Sequence, residues 1–309
     1  MQNRVFVTGG SGFVGSAVIA ELLSRGHPVT ALAHRGKLKA EDSRIRVVAG
    51  DLFNTAALDD GLRDCQAIIH LVGIISEKPS DGITFERIHY EGATNVIDAA
   101  KRNAVRRFIH MSALGARPGA VSRYHQTKYQ AEQHLIASGL DWTIFRPSLI
   151  HGPGGEFTQM EAGWARGRKA PFFFMPYFGG GLLGRKGATQ IQPVHVTDVA
   201  RAFVDAIGNP KSIGEIYPLG GSQRLTWPQM HRIAAQAIAG KTRPTLAIPA
   251  WYAAALTYVV PPGLLPFNRD QVIMGREDST ADMTKFIADF GWEPAGFEQT
   301  IGAYAGRIE

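Results

Sequence analysis

Val5-Phe-Val-Thr8-Gly-Gly-Ser-Gly-Phe-Val-Gly15 opens the chain with a short apolar run, a glycine-rich turn and the start of a helical pattern over Ser16 to Ser24. Strand, glycines and helix in that order form a strong signal, whereas a lone glycine pattern is a weak one. Gly9 permits the tight turn, Gly12 lets the backbone approach a pyrophosphate, and Gly15 lets the helix pack close to the strand. The phosphates of a dinucleotide would then sit between Thr8 and the first helical residues Phe13, Val14 and Gly15. There the free N–H groups and the helix dipole favour negative charge.

The same rhythm continues outward. Arg4 to Thr8, Val29 to Ala33, Arg46 to Ala49, Ala67 to Leu71, Arg107 to Met111 and Trp142 to Arg146 read as strands, with helical spacing over Tyr90 to Arg102 and Thr127 to Ser138 between them. Nearly all-apolar strands separated by helices indicate an α/β fold, a doubly wound parallel sheet covered on both faces. From about Gly152 the chain turns Gly- and Pro-rich, with aromatic clusters such as Pro171-Phe-Phe-Phe-Met-Pro-Tyr-Phe178. Regular structure returns with a strand over Pro193 to Val196, a helix over Thr197 to Ile207, a strand over Glu215 to Leu219 and a helix over Trp227 to Ala239 capped by Thr226. The expected organisation is a dinucleotide-binding domain over 1–151, with 190–220 returning to its sheet. A small substrate lobe is expected from 152–189 and 221–309.

Composition narrows the classes. The chain has 309 residues, 45% hydrophobic and only 19% charged, with 33 Lys and Arg against 27 Asp and Glu and a single cysteine, Cys65. That excludes a disulfide framework, a cysteine zinc site and a disordered tail protein. The net charge of +6 is spread along the chain apart from Arg102, Arg106 and Arg107, then Arg166, Arg168 and Lys169, then Arg185 and Lys186. Solvated faces explain these better than a nucleic-acid partner, because no basic stretch interleaved with aromatics accompanies them. The apolar run at the amino end leaves no space for a signal peptide, so a cytoplasmic protein with reduced Cys65 is expected. The uncharged run from Pro244 to Asn268 is broken by prolines, which argues against a membrane span. It reads as a buried or ligand-facing helix or as a peripheral membrane or protein contact. His70, His110, His151 and His195 fit no metal-binding spacing, and no metal is expected.

Where a site selective for NAD places an acid about twenty residues after the glycines, this chain reads Ala31-Leu-Ala-His-Arg-Gly36. Arg35, helped by His34, would pair with a 2′-phosphate, which favours NADP(H) while leaving NAD(H) possible; alternatively Arg35 is an exposed strand-end cation. Asp51 either accepts from the adenine amino group, with Leu52 against the ring, or caps the next helix. Val72-Gly73 ends the fourth strand, where a glycine lets the chain pass close to the cofactor. Ser112 lies just beyond the fifth strand, and Tyr124 and Lys128, four residues apart, share a helix face. In that arrangement Tyr124 exchanges the proton on a reacting oxygen, Ser112 hydrogen-bonds that oxygen, and Lys128 lowers the phenol's pKa while touching the nicotinamide ribose.

These motifs, with Arg146-Pro-Ser-Leu-Ile-His-Gly152 and Pro193-Val-His-Val-Thr-Asp-Val199, resemble the extended and atypical short-chain dehydrogenase/reductase superfamily, whose fold is Rossmann-like. Within it the chain is most similar to the epimerase/dehydratase-like branch that holds the nucleotide-binding accessory subunit of respiratory complex I and its bacterial relatives. The resemblance implies that Pro147 and Ile150 border the nicotinamide and that Tyr124 and Lys128 occupy catalytic positions. Many extended members carry an asparagine before the fourth helix, where this chain reads Ile88-His89-Tyr90, and Asn95 lies too far along to replace it. The leading expectation is an NADP-dependent oxidoreductase acting on a carbonyl or alcohol of an apolar small molecule, quinone-, isoprenoid- or lipid-like. Phe172, Phe173, Phe174, Met175, Tyr177, Phe178, Trp251, Tyr252 and Tyr258 would line its lobe or simply fill the lobe's core. The alternatives are a non-catalytic NADPH-binding subunit or assembly factor of a membrane complex and, third, a sugar-nucleotide epimerase or dehydratase. The oligomeric state is not legible.

Overall fold

The computed structural model describes residues 3–34, 38, 42–184, 189–260, 265 and 267–308. Among them the strands are β1 (Val5–Thr8), β2 (Val29–Ala33), β3 (Ile45–Ala49), β4 (Ala67–His70), β5 (Arg107–Met111), β6 (Asp141–Pro147), β7 (Ile150–His151), β8 (Met175–Gly179), β9 (Gln190–Ile191), β10 (Val194–His195), β11 (Glu215–Leu219), β12 (Leu225–Thr226) and β13 (Thr245–Pro249). The helices are α1 (Phe13–Ser24), α2 (Thr55–Leu62), α3 (Gly92–Arg102), α4 (Arg123–Ile136), α5 (Glu156–Ala165), α6 (Val196–Gly208), α7 (Trp227–Ala239), α8 (Ala250–Val259), α9 (Arg269–Met274), α10 (Thr284–Phe290) and α11 (Phe297–Tyr304).

Seven strands form one parallel sheet in the order β11-β6-β5-β4-β1-β2-β3. The direction of winding reverses between β1 and β4, and a crevice opens at the carboxyl ends of the strands on either side of such a reversal. Alternation along the strands sorts the two faces. Phe6, Ile68, Phe108 and Ile144 meet Leu58, Val96 and Leu135 from α2, α3 and α4, while Phe145 meets Phe203 of α6 on the other face at 4.8 Å between ring centroids.

The chain divides into two units, the first comprising Met1–Pro147, Val196–Leu219 and Met283–Trp292, the second the remainder. The stretch 283–292, expected in the lobe, belongs with the sheet. Phe286 and Phe290 stack on each other at 4.6 Å and meet Tyr217 of β11 edge-on, at 6.1 and 5.2 Å, and the Tyr217 hydroxyl donates to Asp289 at 2.7 Å. The expected strand over Pro193 to Val196 shortens to β10, because α6 already begins at Val196. The first basic cluster dissolves into structure. Arg102 pairs with Asp59 and Arg106 with Asp141, each at 3.0 Å, and buried Arg107 donates to Ala206 O, Thr143 and Ser212.

In the second unit α5, α7 and α11 share a core of Met230, Ala234, Phe297, Ile301 and Tyr304. The buried His231 and Glu161 pair at 2.9 Å. α7 starts as the sequence suggests, with Gln229 accepting from the Thr226 N–H at 2.8 Å. The uncharged run forms β13, paired in parallel with β8, and α8. The reading of that run as a buried helix is corrected, since α8 buries only Ala250 and Ala253. Among the described residues no helix is long and apolar enough to cross a membrane.

Candidate nucleotide-binding and catalytic site

The glycine turn is built by close approach. Gly9 takes a φ of +77°, and a Cβ there would lie 3.1 Å from Val72 N, so the turn nests against the end of β4. At Gly15 a Cβ would come within 2.1 Å of Gly9 O, which is why α1 packs this tightly only with glycine. Gly12 caps α1 without a side-chain hydrogen bond, so the first-turn N–H groups of Phe13, Val14 and Gly15 have no intrahelical acceptor. The Thr8 hydroxyl is engaged from the other side, 2.7 Å from His70 Nδ1. A cradle that side chains would fill, with free amides facing it, fits a pyrophosphate.

The rim follows at the next strand ends. His34 is exposed, its Nδ1 3.8 Å from an Asp51 carboxylate oxygen. Arg35 lies outside the described residues. Asp51 accepts from Phe53 N–H at 2.9 Å, and Asn54, which accepts from Ala57 N–H, is the residue that caps α2. The capping alternative for Asp51 is thereby removed. Leu52 is buried beneath α3, where Gly92 makes room for it and Asn95 donates to its carbonyl at 3.0 Å. Asn95 is thus occupied away from Tyr124.

On α4, capped by Ser122, Tyr124 and Lys128 stand one turn apart. Lys128 is 2% exposed and donates to Met111 O at 3.0 Å. Burial lowers its ammonium from the ordinary 10.5 to about 8, with Glu132 opposing that. Gly73 is adjacent, since a Cβ there would meet Lys128 Nζ at 3.0 Å, so the bare backbone at the end of β4 is the floor on which the ammonium rests. Ser112 is buried at the end of β5, and its Oγ has no partner among the described residues. Tyr124 sits edge-on to Phe85 and His89, with centroids 5.8 and 5.2 Å away. Loss of hydration pushes its phenol up to about 12. This reverses the direction expected from Lys128, whose ammonium points to a carbonyl while the aromatic wall governs the phenol.

The sequence reading did not assign His89 a role. It lies in a π-helical turn, Glu86–Glu91, that extends α3 backwards, a widening often found at functional sites. His89 Nδ1 is 3.0 Å from Thr127 Oγ1, and Ile74 N–H donates to Nε2 at 3.0 Å. Thr127 gives its own proton to the carbonyls of Arg123 and Tyr124. We assign the proton to Nδ1, because only that tautomer satisfies Thr127, Ile74 N–H and the helix carbonyl together. Burial, aided by the Lys128 charge, holds the ring neutral, down to about 2. With both nitrogens committed, His89 is a bracket between the chain following Gly73 and the helix that carries Lys128. The signal for it was present in the spacing of His89, Ala93, Val96 and Ala100, which continues the buried stripe of α3 by one turn.

Two further contacts fix the same region. Arg146 of β6 forks onto Glu132 of α4, with Nε to Oε1 at 2.8 Å. His70 and His110, neighbours in register on β4 and β5, stack at 5.4 Å between centroids, and burial holds both neutral. Pro147 ends β6, its carbonyl accepting from Leu114 N–H at 3.0 Å, whereas Ile150 belongs to the second unit and pairs with Val194.

A parallel sheet reversing at β1 and β4, a glycine cradle at that reversal and a Ser, Tyr and Lys set on β5 and α4 define a nucleotide-binding protein of the short-chain dehydrogenase/reductase type. The chain belongs to the NAD(P)H-binding family, whose model matches residues 9–167. It is 28% identical over 243 residues to the ceramide reductase of Caulobacter vibrioides, covering 77% of this chain and 72% of that one. It is 29% identical to the mitochondrial NADH dehydrogenase (ubiquinone) 1 alpha subcomplex subunit 9 of Arabidopsis thaliana, covering 74% of this chain but only 56% of that subunit. The fold is also that of the UDP-glucose 4-epimerase of Thermus thermophilus solved with NAD, at a TM-score of 0.73 and 23% identity over 98% of each chain.

Proposed function

We propose that the protein is an NADPH-dependent reductase of a carbonyl group on an apolar, lipid-, isoprenoid- or quinone-like molecule, with Tyr124 as its proton donor. The observation that carries this reading is the placement of Lys128, a buried ammonium held beside Gly73 and one turn from Tyr124. Burying a charge is costly, and no carboxylate forms an ion pair with Lys128 among the described residues; the cost makes sense where negative charge develops nearby.

The dinucleotide, when bound, supplies the hydride. Thr8, Gly9, Gly12 and the amides of Phe13, Val14 and Gly15 would hold its phosphates, with His34, Arg35, Asp51 and Leu52 along the adenosine and Val72, Gly73 and Pro147 toward the nicotinamide. Tyr124, pushed up to about 12, is protonated at neutral pH and so poised to donate. As the carbonyl oxygen gains charge, the Ser112 hydroxyl donates a hydrogen bond and Tyr124 transfers its proton, giving the alcohol. The phenolate left behind would lie one turn from the Lys128 ammonium, which would act on it at that distance. The absence of an acid in Ala31 to Gly36 and the presence of Arg35 support NADPH over NADH. The apolar substrate class is supported by the ceramide reductase likeness.

The test is to identify the nucleotide released on denaturation, then follow NADPH absorbance with quinones, long-chain ketones and aldehydes. Oxidation by one of these in wild type but not in Tyr124→Phe, with NADPH bound at least about tenfold tighter than NADH and that preference lost in Arg35→Ala, is the expected result. Nucleotide that stays bound and reduced with every candidate would overturn the enzyme reading in favour of an accessory subunit, as the Arabidopsis relative's name suggests.

A further inference from the structure

In the second unit α8 turns its aromatic side chains the wrong way for a core. Along α8 the inward positions are Ala250 and Ala253, whereas Trp251, Tyr252, Tyr258 and Val259 are exposed, the last two by 71% and 82%. Trp251 with Tyr258, and Tyr252 with Val259, are seven residues apart and therefore share one helix face. No charged residue interrupts it, because 244–268 contains none. The Trp251 indole N–H donates to Leu182 O at 3.1 Å, bringing alongside the turn whose Leu182 and Leu183 are 78% and 66% exposed. Single exposed apolar residues are ordinary, but a contiguous set marks a surface that something else covers. The idea that these aromatics fill the lobe's core is corrected for Trp251, Tyr252 and Tyr258, and equally for exposed Phe172 and Phe173.

Charge identifies the partner. The two stretches that carry these residues, 162–197 and 216–269, hold ten Lys and Arg and no Asp or Glu, whereas the rest of the chain has 23 cations against 27 acids. One of the ten, Arg269, lies over the Tyr258 ring at 5.5 Å. Trp and Tyr at the boundary, leucines at the tip and flanking stretches that carry cations and no acids form the composition that settles into the headgroup layer of an anionic membrane. A ten-residue helix lies in that layer rather than crossing it. We infer that the outer face of α8, with the Leu182–Leu183 turn, is a docking surface for a negatively charged lipid bilayer. This goes beyond the proposed reaction, and its test needs no turnover.

The full chain is sedimented with vesicles of pure phosphatidylcholine and with vesicles containing a quarter phosphatidylglycerol, while tryptophan emission is recorded. Binding to the anionic vesicles is expected to be at least about tenfold tighter, to weaken with added salt and to shift the emission to the blue. The double variant W251S/Y258S should lose at least about tenfold in affinity. Its melting temperature should match wild type, because both side chains already face water. Three results would overturn the inference: no affinity for anionic vesicles, equal binding by the double variant, or self-association in solution that the same variant abolishes, which would make a second copy of the chain the occupant.

Discussion

Replacing Lys128 by Met should stabilise the nucleotide-free protein at neutral pH. Burial lowers the Lys128 ammonium from 10.5 to about 8. At about 1.4 kcal/mol per pH unit, keeping it charged inside the protein costs roughly 3 kcal/mol. Met fills nearly the same space without charge, and loss of the hydrogen bond to Met111 O returns about 1 kcal/mol. The net gain is about 2 kcal/mol at pH 7, or about 4–8 °C in the melting temperature of a unit of this size. The sign with pH follows from the unfolded chain binding the extra proton between about 8 and 10.5. Wild-type stability therefore rises across that window, the penalty is complete below it, and the advantage of Lys128→Met should vanish within the window and give way, near pH 10.5, to a deficit of up to about 1 kcal/mol from the lost hydrogen bond. Urea unfolding of protein stripped of nucleotide, repeated from pH 7 to pH 10.5, measures this directly. A variant no more stable than wild type at pH 7, or one whose advantage is unchanged at pH 10.5, would refute the picture of Lys128 as a charge maintained at the expense of stability.

Two further comparisons separate roles that look alike in the sequence. Gly12→Ala should leave the melting temperature within about 2 °C, because its Cβ meets nothing closer than Gly9 O at 3.3 Å, while NADPH affinity measured by calorimetry falls at least about tenfold; Gly15→Ala, with its Cβ 2.1 Å from Gly9 O, should instead lose about 1–3 kcal/mol of stability from overpacking. His89→Ala should lose about 3 kcal/mol, from hydrogen bonds near 1 kcal/mol each and the cavity left by the ring. Combined with Thr127→Val it should fall short of additivity by about 1 kcal/mol in a double-mutant cycle, since the two share one bond; strict additivity would remove the bracket.

Much of the first unit was legible because its information is local. β2, β5 and β11 run between the residues their patterns indicate, and α7 begins at the expected cap. The glycine turn was readable residue by residue, since each glycine answers a steric demand set within a few positions or by the adjacent strand. Reading failed where meaning depends on distant partners. Asp51 offered two roles until Asn54 was found capping α2. His89 had no role until Ile74 and Thr127 stood on either side of it. The stretch 283–292 looked like lobe because nothing in its own pattern names Phe145 and Tyr217 as its neighbours. α8 misled for another reason: apolar content marks burial only when the large residues face inward, and in α8 alanines do.

The polar groups under the cradle also have a common logic. Thr8, His70 and His110 follow one another in register across β1, β4 and β5, and each faces the side covered by α3 and α4. One residue pair earlier the same face carries Phe6, Ile68 and Phe108, so the core changes from apolar to hydrogen-bonding at the strand ends. Burial keeps the imidazoles of His70, His89 and His110 neutral, and Glu132 is paired with Arg146. Lys128 then forms no ion pair among the described residues, although Glu132, one turn along α4, still acts on its charge. Neutral rings do not cancel a field as a carboxylate would, and a low-dielectric surrounding extends its reach. In the proposed reaction that ammonium would act on negative charge developing at Tyr124, one turn away. A carboxylate introduced at His70, which already feels the Lys128 charge, as in His70→Asp, would offset the charge on which the proposed chemistry depends.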